Sequence, residues 1–114
     1  GGLAVHNQRI KEKPDEIVRM IKAVLRATDY IRTRKNDILS FLESKWGIKE
    51  ADIRESIYRE MVDLYTRDGI SSDETMKNVV QLVRETRKSK DDKSMANIFD
   101  WSFAKKAQAE LKLK

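Results

Sequence analysis

KPDEIVRMIKAVLRATDYIRTR, residues 13–34, decides the fold class of this chain. Proline fixes φ near the helical value and has no N–H to leave unpaired, so Pro14 suits a first helical turn. Asp15 and Glu16 follow where the helix dipole favours negative charge. Ile17, Ile21, Val24, Thr28 and Ile31 then recur at spacings of three and four, with Val18 and Leu25 beside them. One wide apolar stripe on a long amphipathic helix is the reading, and the helix is expected over residues 14–34. Upstream lie a short apolar run, Leu3-Ala4-Val5, expected to be a strand, and a polar segment from His6 to Lys13.

The same periodicity repeats along the chain. Asn36, a good N-cap residue, precedes Ile38, Leu39, Phe41, Leu42 and Trp46, and Gly47 stands where a left-handed residue ends a helix. Ile53, Ile57, Met61 and Leu64 form a third stripe, widened by Val62 and Tyr65, and Arg67-Asp68-Gly69 signals a turn. Ser71 or Ser72 is expected to cap the next helix, Ser71-Ser72-Asp73-Glu74 resembling a capping box with Glu74 at the third position, ahead of Met76, Val79, Val80 and Val83. After a charged stretch from Arg87 to Lys93, Asp100 is expected to cap a last helix with Trp101, Ala104, Ala107 and Leu111 on one face. The expected fold class is all-α: a single bundle-like domain over residues 1–114, with helices over 14–34, 36–46, 50–66, 72–89 and 100–111 and a short N-terminal strand. Its core is expected to be led by Ile21, Val24, Leu25, Ile38, Leu42, Ile57, Met61, Leu64, Val79 and Val83.

Composition agrees. Of the 114 residues, 39% are hydrophobic and 38% charged, which permits one modest core but requires strongly polar outer faces. One proline and four glycines are too few for a turn-rich all-β fold. The net charge of +5 comes from 24 basic residues interspersed with 19 acidic ones, the pattern of solvated helix surface. No apolar run approaches the ~20 residues that span a bilayer. Gly1-Gly2-Leu3 lacks the basic and apolar regions of a signal peptide, so for an exported parent the signal is expected upstream.

Few residues offer chemistry. With no cysteine, thiol catalysis, disulfides and zinc–thiolate sites are excluded. His6 is the only histidine, and one imidazole supplies one metal ligand. Glu43, Glu50, Glu55 and Glu60 fall on polar helix faces near Lys and Arg, a setting for surface ion pairs and not for carboxylates with shifted pKa values in a cleft. Trp46, Phe99, Trp101 and Phe103 close the core between helix ends, or else present a docking surface. No catalytic, cofactor or metal residue is assigned, no cofactor is expected, and the chain is read as no enzyme.

Several segments, in order, resemble the C-terminal part of bacterial ABC-transporter solute-binding proteins of the nitrate/sulfonate/taurine family, which has thiamine-precursor-binding relatives. They are Leu3-Ala4-Val5, Lys13-Pro14-Asp15-Glu16-Ile17-Val18, Ala23-Val24-Leu25-Arg26-Ala27, Asn36-Asp37-Ile38-Leu39, Trp46-Gly47-Ile48, Asp68-Gly69-Ile70-Ser71 and Phe99-Asp100-Trp101-Ser102-Phe103. Asn36-Asp37 departs from the Asn-Pro common at that helix start. The resemblance implies a fragment of a larger two-lobed α/β protein, periplasmic in a bacterium, whose partners are a membrane permease and a small anion. It implies that this region braces one lobe while the ligand is held by earlier parts of the chain, so no ligand-binding residue is carried over. A strand without its sheet, and a helix face without its lobe, favour self-association, so a homo-oligomer is expected, with Trp101 and Phe103 as the exposed apolar face and without nucleic acid as a partner. The rival reading is a free-standing basic helical domain that binds nucleic acid or a protein.

Overall fold

The Lys13-Pro14 step breaks the N-terminal region into two helices. A residue before proline is pushed out of the helical region, and Lys13 sits at φ −136°, ψ 55°. The computed structural model describes residues 3–87 and 99–112. Its helices are α1 (Asn7–Glu12), α2 (Pro14–Thr33), α3 (Lys35–Ser44), α4 (Ala51–Leu64), α5 (Asp73–Arg87) and α6 (Ser102–Leu111). The chain is thus all-α among the described residues.

Four local expectations are corrected. Leu3-Ala4-Val5 is irregular and forms no strand, because no neighbouring strand offers it a hydrogen-bonding edge. The polar segment that follows is helical as α1, capped by His6, whose Nδ1 accepts from the Gln8 N–H at 3.3 Å. Asn36 lies inside α3 and not at its cap: α2 and α3 are separated only by Arg34, at φ −122°, ψ 54°. Of the two expected caps of α5 it is Ser72 whose Oγ accepts from the Thr75 N–H at 3.2 Å and bonds the Thr75 hydroxyl at 2.8 Å, so Thr75 and not Glu74 holds the third position. Positions 88 and 89, expected to end that helix, lie outside the described residues.

The core forms where α2 crosses α6. Val18 and Leu25 on α2 meet Ala107, and Ile21, Phe103 and Leu111 pack around them. Ala104 and Ala107 are both buried, and their small side chains let the two backbones approach. The buried face of α2 runs through Val18, Ile21, Leu25 and Thr28, so Val24 falls outside it and is half exposed. Thr28 satisfies its buried hydroxyl by donating to the Leu25 carbonyl at 3.0 Å.

At the other end of α2, α3 and α4 fold back as a hairpin. Gly47, at φ 71°, turns the chain, and the Ile48 N–H donates to the Leu42 carbonyl at 3.1 Å. Leu42 is 1% exposed. Buried Tyr58 donates to the Ile31 carbonyl at 2.8 Å and also reaches the Arg32 carbonyl at 3.1 Å, occupying acceptors that the end of α2 leaves without helical partners.

The loop after α4 returns to the main core. Gly69 has φ 75°, and a Cβ there would meet Leu25 Cδ2 at 3.1 Å, so both backbone and space favour glycine. Arg32 donates to the Tyr65 carbonyl and Gln108 to the Asp68 carbonyl, pinning this loop to α2 and α6. Beyond it α5 packs against none of the other described helices.

Of the expected core, Leu25 and Leu42 are buried, and Ile21, Ile38, Ile57 and Met61 are partly buried. Val24, Leu64, Val79 and Val83 are exposed, Leu64 at 70%. Val79 and Val83 lie on a real stripe, but none of the other described helices packs on α5. The radius of gyration is 17.1 Å, whereas a compact chain of this length has about 13 Å.

Leu25→Ala is expected to lower the unfolding free energy by about 2–5 kcal/mol, through lost transfer energy and a residual cavity. Val24→Ala, one residue away on the open side of α2, should change it by no more than about 0.5 kcal/mol. Urea titrations of the two variants check this, and an unchanged midpoint for Leu25→Ala would place the core elsewhere.

Candidate functional site

Besides the exposed Phe41–Trp46 ring pair, centroids 6.3 Å apart, which leaves Trp46 outside the core, two surfaces stand out. One is a cleft of about 470 Å³ where the irregular N-terminal segment, α1, α2 and the start of α6 meet. Leu3, Val5, Ile10, Ile17, Phe99 and Phe103 give it apolar walls, with Asn7 and Asp100 among its lining. The Phe99 and Trp101 rings stack beside it, centroids 5.9 Å apart and 3° from parallel. Phe103 belongs to the core as well, and Trp101 is partly buried, so these two are not the open apolar face that the sequence suggests.

Asp100 organises the entry to α6. Trp101 holds the N-cap position, at φ −89°, ψ −3°, and the helix starts two residues later than expected, but the capping acceptor is the expected one, Asp100. Its carboxylate accepts from the Ser102 hydroxyl at 2.6 Å and the Ser102 N–H at 2.9 Å. These two bonds, the hydroxyl first, hold the Asp100 pKa below its ordinary value.

The second surface is α5. Met76, Val79, Val80 and Val83 make its stripe, with Leu82 at the flank. Val79 and Val83 are exposed, Leu82 at 63%, and the helix contributes no buried residue. This is the apolar face left open, and the sequence had assigned it to the core. Its Asp73 stands one turn before Met76 and its Arg87 one turn after Val83, so opposite charges end the same face.

Charged side chains elsewhere are engaged at the surface. Arg9 reaches Glu16 at 2.6 Å and Lys22 reaches Glu110 at 2.7 Å. The hydrogen bonds from Arg9 and Lys22 lower the pKa values of Glu16 and Glu110, and Tyr30, which donates to Asp37 at 2.8 Å, is held above the usual tyrosine value by that bond. Lys35 meets Glu55 at 2.8 Å, and Arg54 lies 3.9 Å from Glu43 while donating to the Ile48 and Lys49 carbonyls at 2.9 and 2.7 Å. Glu50 and Glu60 are exposed. Among the described residues no three His, Asp or Glu side chains converge as a metal site would require. Nor is any described helix long and apolar enough to cross a membrane.

No protein-family profile matches the chain, and no characterised protein or solved structure does.

The lowered pKa of Asp100 sets a sign for pH dependence. Its bonds stabilise the fold above the ordinary aspartate pKa, and that contribution is lost as pH falls through the lower, folded value. Asp100→Asn keeps an acceptor for Ser102 but removes the titration. Chemical denaturation is expected to show the parent chain losing more stability than the variant on acidification below the ordinary aspartate range; parallel losses would mean that Asp100 does not titrate with folding.

Proposed function

We propose that the chain is the non-catalytic C-terminal helical region of a two-lobed ABC-transporter solute-binding protein, bracing one lobe while the anion is held by other parts of the parent. The observation that carries this reading is the open stripe of α5. An amphipathic helix whose apolar face meets none of the other described helices is suited to cover another surface. In the parent that surface is a lobe. The ordered segments from Leu3 to Phe103 that resemble the nitrate/sulfonate/taurine group support the same reading, as does the extended body. A periplasmic location and a membrane permease as partner follow from the resemblance.

The net charge of +5 favours a second reading, a free-standing basic domain for nucleic acid or protein. Against a phosphate-binding face, Arg9, Lys22, Lys35 and Arg54 each lie within ion-pair distance of a carboxylate.

Titration calorimetry with nitrate, taurine and an alkyl sulfonate is expected to give no saturable heat with this chain, whereas the full-length gene product binds such an anion. Saturable binding by the 114 residues alone would overturn the assignment of the ligand to other parts of the parent. Anisotropy of a labelled DNA duplex should show at most weak association that salt erases; binding that survives physiological salt would support the basic domain.

A further inference from the structure

The stripe of α5 carries a feature that a face for a dissimilar surface does not require: it is self-complementary. Acidic residues fill the first turn, Asp73 and Glu74, and basic residues the last, Arg84 and Arg87. Between them Met76, Val79, Val80 and Val83 are nearly symmetric about the Val79–Val80 step. We infer that in the isolated chain a second copy covers this face, with the two α5 helices packed antiparallel. The inference stands on α5 itself and holds whatever larger assembly the chain belongs to.

A two-fold axis beside Val79 and Val80 sets Met76 of one copy against Val83 of the other. It brings the turn with Asp73 alongside the turn that carries Arg87, twice by symmetry. The two helix dipoles then oppose each other head to tail, which is favourable. A parallel pair would set acid against acid and base against base. Charge thus selects the orientation and the apolar stripe supplies the attraction. A helix of 15 residues is about 22 Å long. A contact of that length lies toward the small, transient end of protein interfaces, so the dimer forms and dissociates with concentration.

None of the other described helices packs on this helix, so substitutions on the stripe leave the α2–α6 core untouched. Sedimentation velocity over a dilution series up to sub-millimolar concentration tests the pairing. The mass is expected to rise from 13.3 kDa toward twice that value. Val83→Glu should hold it at the monomer while circular dichroism keeps the same helix content. Asp73→Arg and Arg87→Asp should each weaken the dimer, because each places like charges together in an antiparallel pair. An equimolar mixture of these two variants should recover it, because both charged contacts are then opposite in sign. A strictly monomeric parent chain overturns the inference. So does a dimer indifferent to Val83→Glu, which would place the contact on another surface such as the cleft beside Phe99. Single-variant dimers as tight as the parent would overturn the antiparallel arrangement. None of these outcomes bears on anion binding by the full-length protein, so the two proposals fail separately.

Discussion

The contact between α2 and α6 holds the molecule together. Val18 and Leu25 face Ala107, which is completely buried. Alanine does this because it contributes little bulk: with Ala104 and Ala107 on its inner face, α6 lies close enough to α2 for dispersion contacts to fill the seam. These helices are far apart in sequence, so their contact closes the chain over everything between. The loop around Gly69 is fastened to both, through Arg32 on α2 and Gln108 on α6. The Lys22–Glu110 pair at 2.7 Å sits at the rim of the same seam, where exposure keeps its contribution small.

From that seam the structure extends in two directions with different degrees of support. The α3–α4 hairpin is tied to the end of α2 by Tyr58, a buried phenol that closes backbone acceptors and fills space at once. Helix α5 packs on none of the other described helices. Its cap at Ser72 and its polar face give it local reasons to be helical, but its apolar face has no counterpart among the other described helices. Single helices of this length are marginal in water, so the stripe gains stability only when another surface covers it. The architecture therefore directs its least satisfied surface outward, which links packing to association.

Much of this was legible in the residues. The all-α class followed from the periodicity, the start of α2 from Pro14, and the left-handed turn from Gly47, which sits at φ 71°. What periodicity cannot provide is the partner of a stripe. Val79 and Val83 repeat as faithfully as Val18 and Leu25, yet among the described helices only the second pair finds one to pack on. Val24 was misplaced for a related reason: the apolar arc on α2 is wide, and the position of α6 selects Val18, Ile21 and Leu25 from it. The short α1 escaped notice because its only large apolar residue is Ile10, and one such residue makes no pattern. Asp100 and Ser72 were legible as cap chemistry to within one residue, since Ser, Thr and Asp cluster at both helix starts. The absence of a strand at Leu3-Ala4-Val5 was not legible, because an apolar run specifies burial and not the neighbour that provides it.

Stability is concentrated where α2 meets α6 and is lacking on α5. Residue-resolved native-state hydrogen exchange on a dilute, monomeric sample tests it most directly. Amides of α2 from Val18 to Thr28 and of α6 around Ala107 should exchange only through global unfolding, and those from Met76 to Val83 through far less costly local opening. Equal protection of α5 and α2 in the monomer would contradict the account, for it would mean that the stripe of α5 is already covered.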